Sequence, residues 1–398
     1  MNIQKRNKVD TPVVSILVSD LSSVGSGRWG LDSGDRPFMI SKALNHIGYT
    51  SEIIGLGDVD YSNTQENSSI QIIRREGGRK IWASFQKAIS AIKGDIVYAY
   101  KPKVTSFGLG LLAKLQKRRV VFLDIDDWEL SWHGGDSFQY RPSLKQFGRD
   151  ILKTEGSLRN PEHPTYLQGM QKLIPLADKI TTHNSFLQSR FGGIMLPNCK
   201  DIHLFDPSHH SPSRNREELG LSEFKILMFP GAPRPYKGVE DVLEALNLID
   251  DPLLKLVVIG GSPYDSYDNY LQEKWRDRLI KLPVVSYRDM PRYISAAHVL
   301  IVPQRDTPVT RAQFPLKITD GMAMAKPVLA TRVGDIPSIL SNTGYLVEPE
   351  KPEQLAKSIL EIFGNYEQAL ATGAEARKRC VEEYSFERMQ KTLHEIFS

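Results

Sequence analysis

Short, apolar, β-branched runs separated by helical patterns recur along the chain, and this alternation constrains the fold more than any other feature. VVSILVS (13–19), TSEIIGL (50–56), DIVYAY (95–100), VVFLDI (120–125) and KITTHN (179–184) read as strands, with a helical stretch at Arg36–His46. These are compact runs of the kind that sit buried on both sheet faces. Strand–helix alternation then implies a parallel sheet layered by helices. The pattern restarts at KILMFP (225–230) and continues through KLVVIG (255–260), VVSYR (284–288), VLIVP (299–303) and PVLAT (327–331). Within Val239–Ile249 the apolar residues Val239, Val242, Leu243, Leu246 and Ile249 keep the three-four rhythm of a helix with one buried side. Between the two series lies Asp206–Gly220, rich in proline, serine and charge, which reads as a linker. Tyr384–Ser398 reads as a terminal helix. The expectation is an α/β protein of two doubly wound, Rossmann-like domains. They span 1–205 and 206–380, and a closing helix at 381–398 returns toward the first. Such sheets bind ligands at the C-terminal ends of their strands, so the two domains should face each other across a cleft.

The chain length of 398 residues is ample for two cores. With 40% apolar and 25% charged residues, disordered, collagenous and disulfide-scaffold classes are excluded. No run approaches the ~18 apolar residues of a membrane-spanning helix. The start, MNIQKRNKVD, has no apolar stretch behind its basic residues and does not read as a secretory signal. Cys199 and Cys380 share no metal or redox spacing, which fits a reducing cytoplasm. A net charge of +4 suits phosphorylated substrates or an anionic membrane surface and is too weak to argue for nucleic acid, which is not expected as a partner.

Five segments carry chemistry. Gly231–Gly238, GAPRPYKG, follows a strand and precedes a helix, so free helix N–H groups point at it and make an anion site. Arg234 and Lys237 add two cations that suit a diphosphate; the plain alternative is a βα turn with solvated charges. Phe314–Pro337 places a second helix start near Leu316 and Lys317, with Pro315 in its first turn and Asp320 a turn further on. Asp320 is a carboxylate suited to ribose hydroxyls or, in the plain reading, to a helix N-terminus. DIDDWE (124–129) ends a strand, where acids line the ligand crevice. Asp126 and Asp127 are its candidates. The rival readings are a divalent-metal pair, Asp124 with Asp126, and capping of the next helix. VGSGRWG (24–30) offers Gly25 and Gly27 for close backbone approach, with Arg28 and Trp29 as acceptor contacts. In Ser143–Glu155 the cations Arg141, Lys145, Arg149 and Lys153 recur every four residues, with Leu144, Phe147, Ile151 and Leu152 on another side. A solvated face of a packed helix is the favoured reading; contact with an anionic membrane or a phosphate-bearing lipid is the alternative. Among the histidines, His133 in SWHGG is the one placed near an acceptor, and no His/Cys/Glu grouping has metal spacing.

GAPRPYKG followed by VEDVLEAL, with PLKITDGMAMAKPVLATRVGDIP further along, resembles the C-terminal domain of family 4 glycosyltransferases, retaining enzymes of the two-domain GT-B type. MLPNCKDIHLF (195–205) resembles the family's interdomain segment, and YSFERMQKTLHEIF (384–397) its closing helix near the hinge. The resemblance implies transfer of a sugar from a nucleotide-diphosphate sugar to a hydroxyl acceptor, with no metal or other cofactor. Arg234 and Lys237 would hold the diphosphate and take part in catalysis. Gly231, Leu316 and Lys317 would face the donor, Asp320 the ribose, and Val285 and Tyr287, on the strand VVSYR, the nucleobase. Gly25 and Gly27 would approach the donor from the first domain. Asp126 and Asp127 occupy the place of the family's polar pair for the acceptor or reacting sugar. Eight residues before Asp320 the family's first Glu is replaced by Ala312. The resemblance leaves the acceptor open among a sugar, a lipid-linked molecule and another small molecule. An epimerase or hydrolase of the same fold and a non-catalytic nucleotide-sugar-binding protein are the alternatives.

Overall fold

The computed structural model describes residues 11–22, 35–65, 68–153, 155–261 and 265–398. The chain divides into two compact units. The first is Met1–His183 with Leu187–Leu196 and Gln390–Ser398; the second is Asn184–Phe186 with Pro197–Met389.

The first unit is built on strands β1 (Val13–Val18), β2 (Thr50–Gly57), β3 (Tyr61–Gln65), β4 (Ser68–Arg74), β5 (Ile96–Tyr100), β6 (Val120–Ile125), β7 (Lys179–Thr182) and β8 (Ile194–Met195). They form one sheet in the order β3-β4-β2-β1-β5-β6-β7-β8, parallel except for the β3–β4 pair. β1 lies between β2 and β5, so the chain reverses direction across the sheet beside it, the position where doubly wound sheets open a ligand crevice.

The second unit carries β9 (Lys225–Pro230), β10 (Leu254–Ile259), β11 (Leu279–Leu282), β12 (Val299–Val302), β13 (Val328–Thr331) and β14 (Tyr345–Val347), parallel throughout in the order β11-β10-β9-β12-β13-β14. Alternate side chains feed two cores. Ile226, Met228, Val257, Ile259, Leu300 and Val302 enter one, and Leu227, Phe229, Leu256, Val258, Val299 and Ile301 the other. Helices cover both faces, which is why these strands are apolar runs. The helix Val239–Ile249 buries Val239, Val242, Leu243 and Leu246 on one of them.

Two local expectations are corrected. VVSYR is not a strand. Its place is taken by Leu279–Leu282, which pairs with β10, and Pro283, lacking an N–H, ends the ladder before Val284. Asp206–Gly220 is not an irregular linker. Asp206 caps a 3-10 turn, and Ser211 caps the helix Pro212–Glu218 by accepting from the Arg214 amide. The units change at Leu196–Pro197 instead. The terminal helix is present as expected, at Phe386–Phe397, and Ser385, which bridges to Lys200, separates it from the preceding helix Tyr366–Tyr384.

Gly238 fixes the turn into Val239–Ile249. It sits at φ +67°, and a Cβ there would lie 1.9 Å from the carbonyl oxygen of Pro303. Gly238→Ala must therefore both strain the backbone and push the loop off Pro303. A loss of ~2 kcal/mol or more is expected in denaturant unfolding.

Candidate functional site

Two clusters lie at the C-terminal ends of strands, one in each unit. In the second unit the loop after β9 sits where the strand order reverses between β9 and β12. Gly231 adopts φ +102° and its amide donates to Ile259 O at 2.9 Å, holding the loop open at the strand end. Two helices begin at this loop region without a capping side chain. Val239–Ile249 starts behind Gly238, and Leu316–Ala323 behind Pro315. Uncapped first-turn amides and the helix dipole make both starts attractive to an anion.

Lys237 and Lys317 sharpen that attraction. Lys237 Nζ donates to Ala232 O at 2.9 Å, and Lys317 Nζ stands over the Phe229 ring, 4.0 Å from its centroid. Among the described residues neither ammonium is within ion-pair distance of a carboxylate. Burial, aided by Arg234, lowers Lys237 to about 8. Burial and the charge of Lys237 hold Lys317 well below the ordinary lysine range. Two half-buried cations held below the ordinary lysine range form a site short of negative charge. Arg234 pairs with Asp265.

Asp320 is buried and paired with Lys200, which sequence reasoning did not select. Lys200 is 2% exposed. Its ammonium lies 4.5 Å from the Phe205 ring centroid and 5.2 Å from that of Tyr287. Burial would lower its pKa, but Asp320 outweighs burial and raises it. The backbone of Lys200 receives a bond from the Phe386 amide and gives one to Tyr384 O, so the break between the last two helices fixes it. Tyr287 reaches this cluster by its side chain, from a turn rather than a strand, and Val285 packs at the edge of the same core. Leu316 is the first residue of its helix, and Ala312 is buried.

In the first unit, Asp126 accepts from Tyr100 Oη and lies 3.5 Å from Lys101 Nζ. Lys101 also pairs with Glu129 at 2.8 Å, and Lys103 bridges Glu129 at 3.0 Å and Glu162 at 2.7 Å. Lys101 holds φ +71°, a strained value for a side chain other than glycine. Burial pushes Glu129 up, but Lys101 and Lys103 outweigh it and hold the carboxyl at about 2. Asp127 accepts from Trp132 Nε1 at 3.1 Å, and its Oδ1 is buried without a hydrogen-bond partner. Burial raises Asp127 to about 7, with Glu129 and Asp126 adding to the shift and Lys101 opposing it. Burial and Asp126 likewise raise Asp35, just before the helix Arg36–His46, to about 6.

The metal reading does not fit these residues. Both oxygens of buried Asp124 accept from Arg36, at 2.6 and 2.8 Å, and Asp126 is committed to Tyr100 and Lys101. Among the described residues no group of three or more His, Cys, Asp or Glu side chains could hold a metal ion. The capping reading fails too, since the turn Glu129–His133 starts behind Trp128 with no side-chain cap. His133 is exposed at the end of that turn. Gly25, Gly27, Arg28 and Trp29 lie outside the described residues. Among the described residues no helix is long and apolar enough to cross a membrane.

Residues 224–365 match the family model described as glycosyl transferases group 1. Over 187 residues the chain is 28% identical to the uncharacterized glycosyltransferase MJ1178 of Methanocaldococcus jannaschii, a match covering 46% of this chain and 51% of that protein. It is 25% identical over 190 residues to D-inositol 3-phosphate glycosyltransferase of Corynebacterium glutamicum, covering 44% of each. The chain thus spans about half the length of the curated relatives it matches. Over 97% of its length the fold superposes on sucrose-phosphate synthase from Thermosynechococcus elongatus, which is covered to 98%, with TM-score 0.72 at 17% identity. It superposes equally on Anabaena HepE in complex with UDP and glucose, at 16% identity, covering 97% of this chain and 99% of that one, again with TM-score 0.72. The architecture is therefore the GT-B type, with two Rossmann-like domains.

Proposed function

We propose, from the match of residues 224–365 to the glycosyl transferases group 1 model, that the protein is a retaining, metal-independent glycosyltransferase that uses a nucleoside-diphosphate sugar. The observation that carries this reading is the pair of half-buried lysines, Lys237 and Lys317, at two uncapped helix starts, with no carboxylate among the described residues in ion-pair contact with either. A diphosphate supplies the missing charge. HepE, solved with UDP and with UDP-glucose, supports a nucleotide sugar as the ligand class. Arg234, beside Asp265, adds a third cation, and Asp320 meets the ribose through the carboxylate that Lys200 orients.

In the reaction the bond from the anomeric carbon to the β-phosphate oxygen breaks, and the acceptor oxygen bonds to that carbon on the same face. The acceptor proton passes to the departing phosphate oxygen, and the nucleoside diphosphate leaves. Lys237, Lys317 and Arg234 stabilise the charge that grows on the leaving group, where a well-placed donor is worth ~3–4 kcal/mol. The first unit binds the acceptor. There Asp127, with one buried oxygen unbonded, receives the acceptor hydroxyl in its ionised form. Metal independence follows the donor chemistry: lysines and amides replace a cation, and Asp124 is spent on Arg36.

The pH profile of kcat/KM should be a narrow bell. Activity rises as Asp127 ionises near 7 and falls as Lys237 loses its proton near 8. Asp127→Asn should lower kcat at least ~10-fold and remove the acid limb, leaving the alkaline limb. The test of the function is release of nucleoside diphosphate from UDP-, GDP- and ADP-sugars, with and without acceptor extracts, in the presence of EDTA. Acceptor-dependent release with an unchanged anomeric configuration in the product supports the reading. Release of free sugar without acceptor would mark an epimerase or hydrolase, and binding without release a non-catalytic protein.

A further inference from the structure

The helix Leu144–Leu152 is turned inside out. Its one buried residue is Asp150, whose carboxylate accepts from Tyr140 Oη at 2.7 Å. Leu144 is 93% exposed, Leu152 75%, and Phe147 and Ile151 are exposed as well. A helix packed on a globular core does the opposite, burying its apolar stripe and leaving the acid outside. Leu144, Phe147 and Ile151 follow the three-four spacing of one helical face. Arg141, Lys145, Arg149 and Lys153, all exposed, run along another side of the helix and its flanks. Lys145 and Lys153 have no acidic partner among the described residues, and the acid nearest Arg149 is Asp150 at 3.9 Å.

A second apolar feature adjoins the helix. Arg159 donates from Nε to Ile151 O at 2.7 Å and from Nη2 to Leu152 O at 3.1 Å, closing the helix C-terminus. The same arginine lines a cavity of about 370 Å³ whose other walls include Trp82, Phe85, Val104, Leu158 and Tyr166. Trp82 is 65% exposed at this cavity. An exposed apolar helix face, an open apolar cavity and an exposed indole share one neighbourhood with unpaired cations.

We infer that this surface docks onto an anionic lipid bilayer. An amphipathic helix with cations on its polar side lies in the headgroup plane, apolar side down. Indoles favour the same depth, and each lysine or arginine near the surface is attracted to anionic headgroups. A second copy of the chain fits less well. A nine-residue helix offers far less than the ~20–30 residues a side of a stable interface. A two-fold contact would also bring the two sets of cations together. The inference goes beyond the transfer reaction and does not depend on it, since it gives the protein a location rather than a chemistry.

The experiment is co-sedimentation of the full chain with vesicles of phosphatidylcholine alone and of phosphatidylcholine with phosphatidylglycerol. The protein should sediment with the anionic vesicles, and far less with the neutral ones. Lys145→Gln with Arg149→Gln should lower the partition constant roughly 10-fold or more, and added salt should act in the same direction. Leu144→Asp with Phe147→Asp should abolish sedimentation, and Trp82→Ala should weaken it several-fold. Because these side chains are exposed, thermal unfolding and nucleotide binding of the variants should match the parent, which separates this result from failure of the transfer reading. Three results would overturn the inference. They are equal binding to neutral and anionic vesicles, no binding to either, and a concentration-dependent dimer in light scattering that Leu144→Asp with Phe147→Asp dissociates.

Discussion

Lys237→Met lowers turnover ~100-fold or more while making the ligand-free protein more stable. Both effects have one cause. At neutral pH the half-buried Lys237 carries a charge that no carboxylate among the described residues pairs with, and desolvation with Arg234 nearby holds its pKa at about 8. That charge is expensive in the free protein and useful only when a diphosphate arrives. Methionine keeps the length and apolar stem and drops the charge. The pH dependence follows from the sign of the shift. Between about 8 and the ordinary lysine value, the unfolded chain holds more protons than the folded one, so the parent gains stability as pH rises there. The advantage of Lys237→Met is therefore largest below about 8 and fades above it. Melting temperatures of both proteins across that window, with steady-state turnover at neutral pH, check the prediction. A variant less stable than the parent at pH 7 would mean that Lys237 has a partner in the folded state. Arg234→Ala should cost turnover at least ~10-fold for the same electrostatic reason, with little gain in stability, because Arg234 already pairs with Asp265.

Lys200→Met has the opposite sign and a larger structural effect. It strands Asp320 as a buried, uncompensated carboxylate, and breaking a buried pair from one side costs ~3–5 kcal/mol. The double variant Lys200→Met with Asp320→Leu should recover most of that stability, because the pair is then removed rather than halved. It should not recover donor binding, since Asp320, the carboxylate proposed to meet the ribose, is gone. Lys200→Arg should retain the charge and part of the KM for donor. Denaturant unfolding of the two single variants and the double gives the coupling energy, and the donor KM against kcat separates positioning from a purely structural role.

Much of the fold was legible because its signals are local. β9, the helix Val239–Ile249 and the loop between them lie within one stretch of sequence, and strand, glycine turn, cations and helix start can be read there together. The same holds for Lys317 behind Pro315. What sequence reasoning missed depends on distance along the chain. Lys200 is an unremarkable residue until the backbone at Tyr384–Phe386 brings its segment under Asp320. Lys101 and Lys103 follow a strand end with no motif to mark them, although there they neutralise Glu129 and leave Asp127 as the acid with the raised pKa. The β3–β4 pair escaped because few of its residues are apolar. For Leu144–Leu152 the pattern of cations and apolar residues was plain, but amphipathicity does not say which face turns inward. Asp150 bonded to Tyr140 decides that.

Calorimetric titration of the full chain with UDP, and with uridine as its phosphate-free counterpart, in EDTA tests the central claim most directly. The account predicts that the diphosphate binds far more tightly than the nucleoside without a divalent ion, and that Lys237→Met brings the two affinities together. Equal affinity for diphosphate and nucleoside in the parent, or diphosphate binding that appears only when a divalent cation is added, would contradict it.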